Sequence, residues 1–311
     1  MSTDPSAIPA RRAGTDVRRR ALIHGLTAAG LLFAAYLFAI TAPKVGTFGY
    51  DAFAYWSVQL PHPYTVALGG LGSFLYSPAI ALVFNLFGAL PWWVFLWLWL
   101  AGMVGTVIWL GGRWSLALLA FPPVALELYH GNIHLFLAAA LALGFAYPWT
   151  WSFILLTKAT SGVGLLWFVV RREWRQLAIA VGVTAAIAAV SFVIAPSLWF
   201  EWIRFVSADL RGTPGGTSVS IPLWARLIVA AAIVIWGART NRQWTVAVAA
   251  TVALPVLWIT GLAVLAGAVP ELRARAARSR STAPGTPATS SSASDAMLRR
   301  DPGAPAQAGS A

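Results

Sequence analysis

"PWWVFLWLWLAGMVGTVIWL", residues 91–110, is twenty residues long and carries no charge. A helix of that length rises about 30 Å, the thickness of a bilayer's hydrocarbon core. Trp92, Trp93, Trp97 and Trp99 fall toward its first half, where an interfacial aromatic belt would place them. Lipid contact is sufficient reason for these rings. The run belongs to a longer one, since no Asp, Glu, Lys or Arg occurs from Ala52 to Gly112. The expected fold is all-α and built within a membrane.

Composition extends that reading to the whole chain. Of 311 residues, 59% are hydrophobic and 10% charged, against about 25% charged in soluble domains. There is too little polar surface to face water on all sides. The net charge of +12 does not point to nucleic acid, because the arginines lie in the tails and in short clusters between apolar blocks. The absence of cysteine excludes disulfides, thiolate-bound zinc and thiol catalysis.

Residues 1–20 are polar and basic, with Arg11, Arg12, Arg18, Arg19 and Arg20, and are expected in the cytoplasm. Ala21 to Ala42 exceeds the ~7–15 residues of a signal-peptide core and reads as a retained first span. Residues 43–73 form an outer loop with a short interfacial helix near Ala52 to Leu60. Spans are expected at Phe74–Leu90, Trp92–Leu110, 115–129, 131–147 and 148–170, the last ending in the basic "RREWR" of Arg171 to Arg175. Residues 176–195 return to a second outer loop, 196–222, and 223–238 lead back to the basic "ARTNRQ". Pro255 divides 244–269 into two short limbs, a broken hairpin of the kind tolerated where backbone is buried or lines a cavity. The membrane domain, 21–270, thus holds about ten segments with both ends inside, although Arg113 then falls outside. Residues 271–311, dominated by Ser, Thr, Ala, Pro and Gly toward the end, are expected to be a disordered cytoplasmic tail.

Ionisable residues in so apolar a chain are candidates for function. Asp51 lies just beyond the first span and reads either as a solvated loop residue or helix cap, or as a general base. Lys158 sits within "FILLTKATSGVGLLWFVV", either snorkelling to the interface or supplying a cation to a phosphate. Glu127, His130 and His134 form a polar group in which the two histidines share a helix face at i, i+4. That spacing can ligate metal, but an interfacial polar cluster is the better reading. Arg204, Asp209 and Arg211 precede Gly212, Gly215 and Gly216, either as a solvated connector or as an anion clamp using the arginine fork.

"GYDAFAYW", Gly49 to Trp56, followed by "GSFLYSPAIALVFNLFGALPWWVFLWLWL", resembles the polyprenol-phosphate-mannose-dependent mannosyltransferases of glycosyltransferase family 87. Such proteins carry an acid followed by aromatics after the first span, then an FxYxP entry to the second. "YHGNIHLFLAAALAL" is similar to the family's GQxN segment, with Asn132 in phase and His130–Gly131 in place of Gly–Gln. "LLTKATSGVGLLWFVVRREWRQLA" is similar to its KxxP…RRRW segment, with Lys158 aligned and the proline replaced. A late SPxxWxH pattern is only partly kept: "LPVLWITG" retains Pro255 and Trp258 but has Ile259 and Thr260 where histidine is expected.

The resemblance covers about residues 22–270 and implies the fold of the membrane-embedded C-type glycosyltransferases. It implies transfer of a hexose, mannose in the first instance, from a polyprenyl-phosphate carrier to a lipid or glycan acceptor. The reaction would invert the anomeric centre on the outer face of a bacterial inner membrane, with Asp51 as base. A phosphate leaving group makes a second acid unnecessary, and Lys158, Arg204 and Arg211 are candidates to hold it without a metal or other cofactor. Tyr50, Tyr55 and Trp56 would line the acceptor site. Two other readings stand: a transporter or flippase with its midplane site at Lys158 and the broken last segment, and a non-catalytic membrane protein.

Overall fold

The computed structural model describes residues 7–67, 69–212 and 221–281. Helix α1 (Ala7–Tyr36) continues through a π-helical stretch, Leu37–Thr41, into α2 (Ala42–Val45). Helix α3 (Tyr50–Trp56) and a long irregular segment lead to α4 (Pro78–Phe84), extended by the 3-10 turns of Asn85–Ala89. Next come α5 (Trp92–Gly111), α6 (Ser115–Leu119), α7 (Pro122–His130), α8 (His134–Leu143), α9 (Trp151–Thr157) and α10 (Leu166–Val170). The series closes with α11 (Trp174–Ile194), α12 (Pro196–Gly212), α13 (Leu223–Arg239), α14 (Trp244–Val252), a 3-10 stretch Ile259–Ala268 and α15 (Val269–Ser281). No strand occurs among the described residues.

Among the described residues, three helical stretches are long and apolar enough to cross a membrane: Val17–Val45, Trp92–Leu119 and Trp174–Ile194. The pair α7 and α8 supplies a fourth if its 116° bend lies within one crossing. Length and apolarity therefore account for three or four crossings and do not by themselves confirm the ten expected segments. The reason is local. The stretch expected to span Phe74–Leu90 is helical only over Pro78–Ala89, which at 1.5 Å per residue is about 18 Å and short of the hydrocarbon core. Pro78 fixes where it begins, and the extended Leu90 before Pro91 ends it. The stretch 148–170 is divided at Lys158, which leaves helical geometry between α9 and the 3-10 turns of Ala159–Leu165.

The outer surface is lipid-like. Val193 is 80% exposed, Leu32 72% and Trp97 61%, an arrangement that would aggregate in water but matches hydrocarbon. The protein is a membrane protein on that evidence. Inside, α8, α14 and Ile259–Ala268 pack on one another, and small residues bring them close. A Cβ on Gly267 would stand 2.8 Å from the Ala138 carbonyl oxygen, so glycine permits this approach.

The expected break at Pro255 is present: residues 253–258 are irregular between α14 and Ile259–Ala268. The carbonyl of Val252, at the end of α14, and those of Leu254 and Pro255 in the break lie beyond the reach of the helical ladder. The buried Arg226 guanidinium of α13 serves them instead, donating to Val252 O at 3.1 Å, Leu254 O at 2.6 Å and Pro255 O at 2.9 Å, and to Ile221 O at 3.2 Å. Non-helical backbone is thereby satisfied by protein, the condition under which a broken segment is tolerated in a membrane.

The stretch 196–222, read as a loop, is helical from Pro196 to Gly212, and residues 213–220 lie outside the description. Trp202 Nε1–H donates to Leu75 O at 3.1 Å, Phe205 packs on Tyr64 at 5.8 Å, and His62 Nδ1 is 3.4 Å from Glu201 Oε1. The two segments expected outside thus lie against each other. The compact body ends at Leu272. Helix continues to Ser281, into the stretch read as tail, and the expected disorder beyond it concerns residues outside the description.

Candidate functional site

Two glycines dock α3 onto the turn between α7 and α8. Gly49, at φ 73°, precedes α3, and its N–H donates to Tyr129 O near the end of α7 at 2.9 Å. Gly131, at φ 70°, ends α7, and a Cβ there would lie 2.6 Å from the Ala52 Cβ. Left-handed backbone and the absence of a side chain are both required at Gly131. The contact between Gly131 and Ala52 sets their chain neighbours, Asn132 and Asp51, side by side.

Asp51 is half-buried. It does not cap α3: Gly49 occupies the cap position with no side-chain bond. Its Oδ2 instead accepts the Asn132 amide N–H at 2.8 Å, across 81 positions of chain. The Asn132 Oδ1 accepts the Ile133 backbone N–H at 2.7 Å and the Tyr55 hydroxyl at 3.1 Å. Because Tyr55 gives its proton to Asn132, it accepts from the Tyr76 hydroxyl, 3.1 Å away. Burial first, and then the neighbouring Tyr76 and Asp51, push the Tyr55 hydroxyl well above the ordinary tyrosine range. It stays protonated and remains a donor.

Lys158 stands at the far end of this row. Its Nζ lies 5.0 Å from the Tyr76 ring centre, a cation–π contact, and no carboxylate pairs with it among the described residues. A carboxylate and a lysine without a carboxylate partner therefore flank a tyrosine pair.

Glu127 is fully buried inside the protein. It accepts the His134 backbone N–H at 2.6 Å and faces His134 Nδ1 at 3.2 Å, placing its carboxylate at the start of α8. A negative charge there is favourable to the helix. His130 and His134 do not share a face. His130 ends α7 and His134 begins α8, with the 116° bend between them. Gly131 in left-handed conformation breaks the helix that the i, i+4 spacing presupposed. His130 remains half-buried within the field of Asp51.

The other expected residues fall in varied places. Tyr55 lies within the network, its ring packed on Tyr76, Phe84 and Trp99 at 5.7, 5.3 and 5.2 Å. Tyr50 donates its hydroxyl to Gly69 O at 2.8 Å, and Trp56 its indole N–H to Leu90 O at 2.8 Å. Arg204 is exposed on α12, bonding Phe200 O of its own helix at 3.3 Å. The side chain of Arg211 lies outside the described residues. Tyr76 and Arg226 were not expected in these roles, and Asn132 was noted only as in phase with a motif. For Arg226 the signal was available, since an arginine one turn inside an apolar segment is expensive unless every N–H is used.

No curated protein and no solved structure matches the chain. The family model described as Glycosyltransferase family 87 matches residues 74–283. The match begins after α3, so it takes in Tyr76, Glu127, Asn132, Lys158 and Arg226 but not Asp51. It spans more than half of the chain, and the protein belongs to glycosyltransferase family 87.

Proposed function

We propose that the protein transfers a hexose, mannose in the first instance, from a polyprenyl-phosphate carrier to a lipid or glycan acceptor, with inversion, at the outer face of a bacterial inner membrane. Family membership carries the glycosyl-transfer class. The observation that carries the mechanism is the position of Asp51: half-buried, held through one oxygen by Asn132, with an unpaired lysine beyond the tyrosine pair. An inverting displacement needs a base for the acceptor hydroxyl on the face opposite the leaving group. The leaving phosphate needs positive charge and not a proton. In this reading Asp51 Oδ1, which has no protein donor among the described residues, takes the acceptor proton. Lys158 stabilises the departing phosphate, with Arg204 and Arg211 of α12 as further cations near the outer segments. Tyr50 and Trp56, on the same helix as Asp51, border the acceptor side.

The test of the donor is direct. Membranes containing the protein are supplied with labelled polyprenyl-phosphate-mannose or, in parallel, with labelled nucleotide-mannose under conditions that block conversion of one to the other. Label should pass to an acceptor from the lipid carrier alone. Transfer from the nucleotide sugar but not from the carrier would refute the proposed donor.

A further inference from the structure

We infer that Asn132 is a positioning residue for the base: its amide is locked in one orientation, holds Asp51 by Oδ2, and reserves Oδ1 for the acceptor hydroxyl. The inference rests on the reading of Asp51 as base. The lock is visible in the bonding. An amide oxygen has two lone pairs, and Asn132 Oδ1 spends them on the Ile133 N–H at 2.7 Å and the Tyr55 O–H at 3.1 Å. Turning the amide over would set its NH₂ against the Ile133 N–H, a backbone donor that cannot rotate away. The NH₂ is therefore committed to Asp51, 2.8 Å away.

Three further features suit this task. Asn132 is 9% exposed, so water competes little for its bond. The amide sits on a turn fixed by the contact of Gly131 with Ala52, so its position follows that of α3. It is also neutral. A lysine or arginine could hold the carboxylate equally well, but a full positive charge would favour the ionised form more strongly and weaken it as a base. A neutral donor fixes geometry at smaller cost to basicity. The Tyr55 hydroxyl, itself accepting from Tyr76, orients the amide in turn and acts one step further from the chemistry.

The experiment is a double-mutant cycle on the full-length protein in detergent or nanodiscs, using the carrier-linked donor above. Asn132→Ala should lower kcat by about 10- to 100-fold, the scale of a misplaced reacting group. KM for the donor should remain within about twofold. In an Asp51→Asn background the same substitution should have no further effect, because its action runs through the carboxylate. Tyr55→Phe, which keeps the packed ring, should show the same dependence on Asp51 with a smaller loss. It carries the test if Asn132→Ala does not accumulate. Equal losses with and without Asp51, or unchanged kcat in both single variants, would overturn the positioning role. A fully active Asp51→Asn protein would instead refute the base itself, so the two failures are distinguishable.

Discussion

The Lys158 ammonium lies 5.0 Å from the centre of the Tyr76 ring, and the Tyr76 hydroxyl is 3.1 Å from that of Tyr55. Through Tyr55 and Asn132 the row reaches Asp51. A cation and a carboxylate from distant parts of the chain are thus held apart by a tyrosine pair instead of collapsing into an ion pair. In the proposed reading the lysine end takes the leaving phosphate and the carboxylate end the acceptor hydroxyl.

Lys158→Met keeps the length of the side chain and removes the charge. If Lys158 holds the carrier phosphate, kcat/KM for the donor should fall by about 10- to 100-fold, the value of a charge-assisted contact of roughly 1.5–3 kcal/mol. Accumulation of the protein should be unchanged. Steady-state kinetics at several donor concentrations, normalised to folded protein, check this. Poor accumulation with full activity per molecule would make the lysine structural.

Gly131→Ala should be compared with Gly46→Ala. Both glycines have φ 70°, but a Cβ at Gly46 meets nothing within 4 Å, whereas at Gly131 it would meet the Ala52 Cβ at 2.6 Å. Gly46→Ala should therefore cost about 1–2 kcal/mol of strain. Gly131→Ala adds about 1–3 kcal/mol of overpacking and should also reduce turnover, because it pushes α3 from the turn carrying Asn132. Thermal melting in detergent beside an activity assay separates the two. Equal behaviour of the variants would mean that α3 does not depend on this contact.

Arg226→Met leaves the carbonyls of Ile221, Val252, Leu254 and Pro255 without their donors. At about 1–3 kcal/mol for the buried Leu254 acceptor left unpaired, with smaller losses at the part-buried ones, the loss should reach about 3 kcal/mol, with proteolytic cleavage appearing at residues 253–258. Arg226→Lys restores the charge but not the planar fork, and should recover only part of the stability. Melting temperature and limited proteolysis read both effects. A variant as stable as the parent would remove the clamp from the account.

The sequence displayed the long helices and several residues of the candidate site, but not how those residues meet. Trp92–Gly111 carries no charge and Trp174–Ile194 none after Arg175, and such runs announce themselves by length alone. The shorter pieces were harder because apolar character does not stop where helical geometry does. Lys158 stands out as an expensive residue, yet nothing in its neighbours states that the backbone leaves the helix there. Other signals were present but outweighed. "HGN" at 130–132 is a helix stop with glycine at the left-handed position, which separates His130 from His134. Trp199, Trp202 and Phe205 recur every third residue, a helical period inside a stretch read as loop. The pairing of Asp51 with Asn132 had no local trace. It depends on a glycine contact that exists only once α3 and the α7–α8 turn have met, across 81 positions of chain.

The central claim is that Asp51 accepts the proton of the acceptor hydroxyl, and Asp51→Asn in a transfer assay with the carrier-linked donor tests it most directly. Asparagine keeps the size of the side chain and removes its basicity. General-base assistance is typically worth about 10²–10⁴-fold in rate, so turnover should fall by about two to four orders of magnitude. Binding of the carrier and the melting temperature should stay close to those of the parent. An Asp51→Asn protein that transfers sugar at the parental rate would contradict the account.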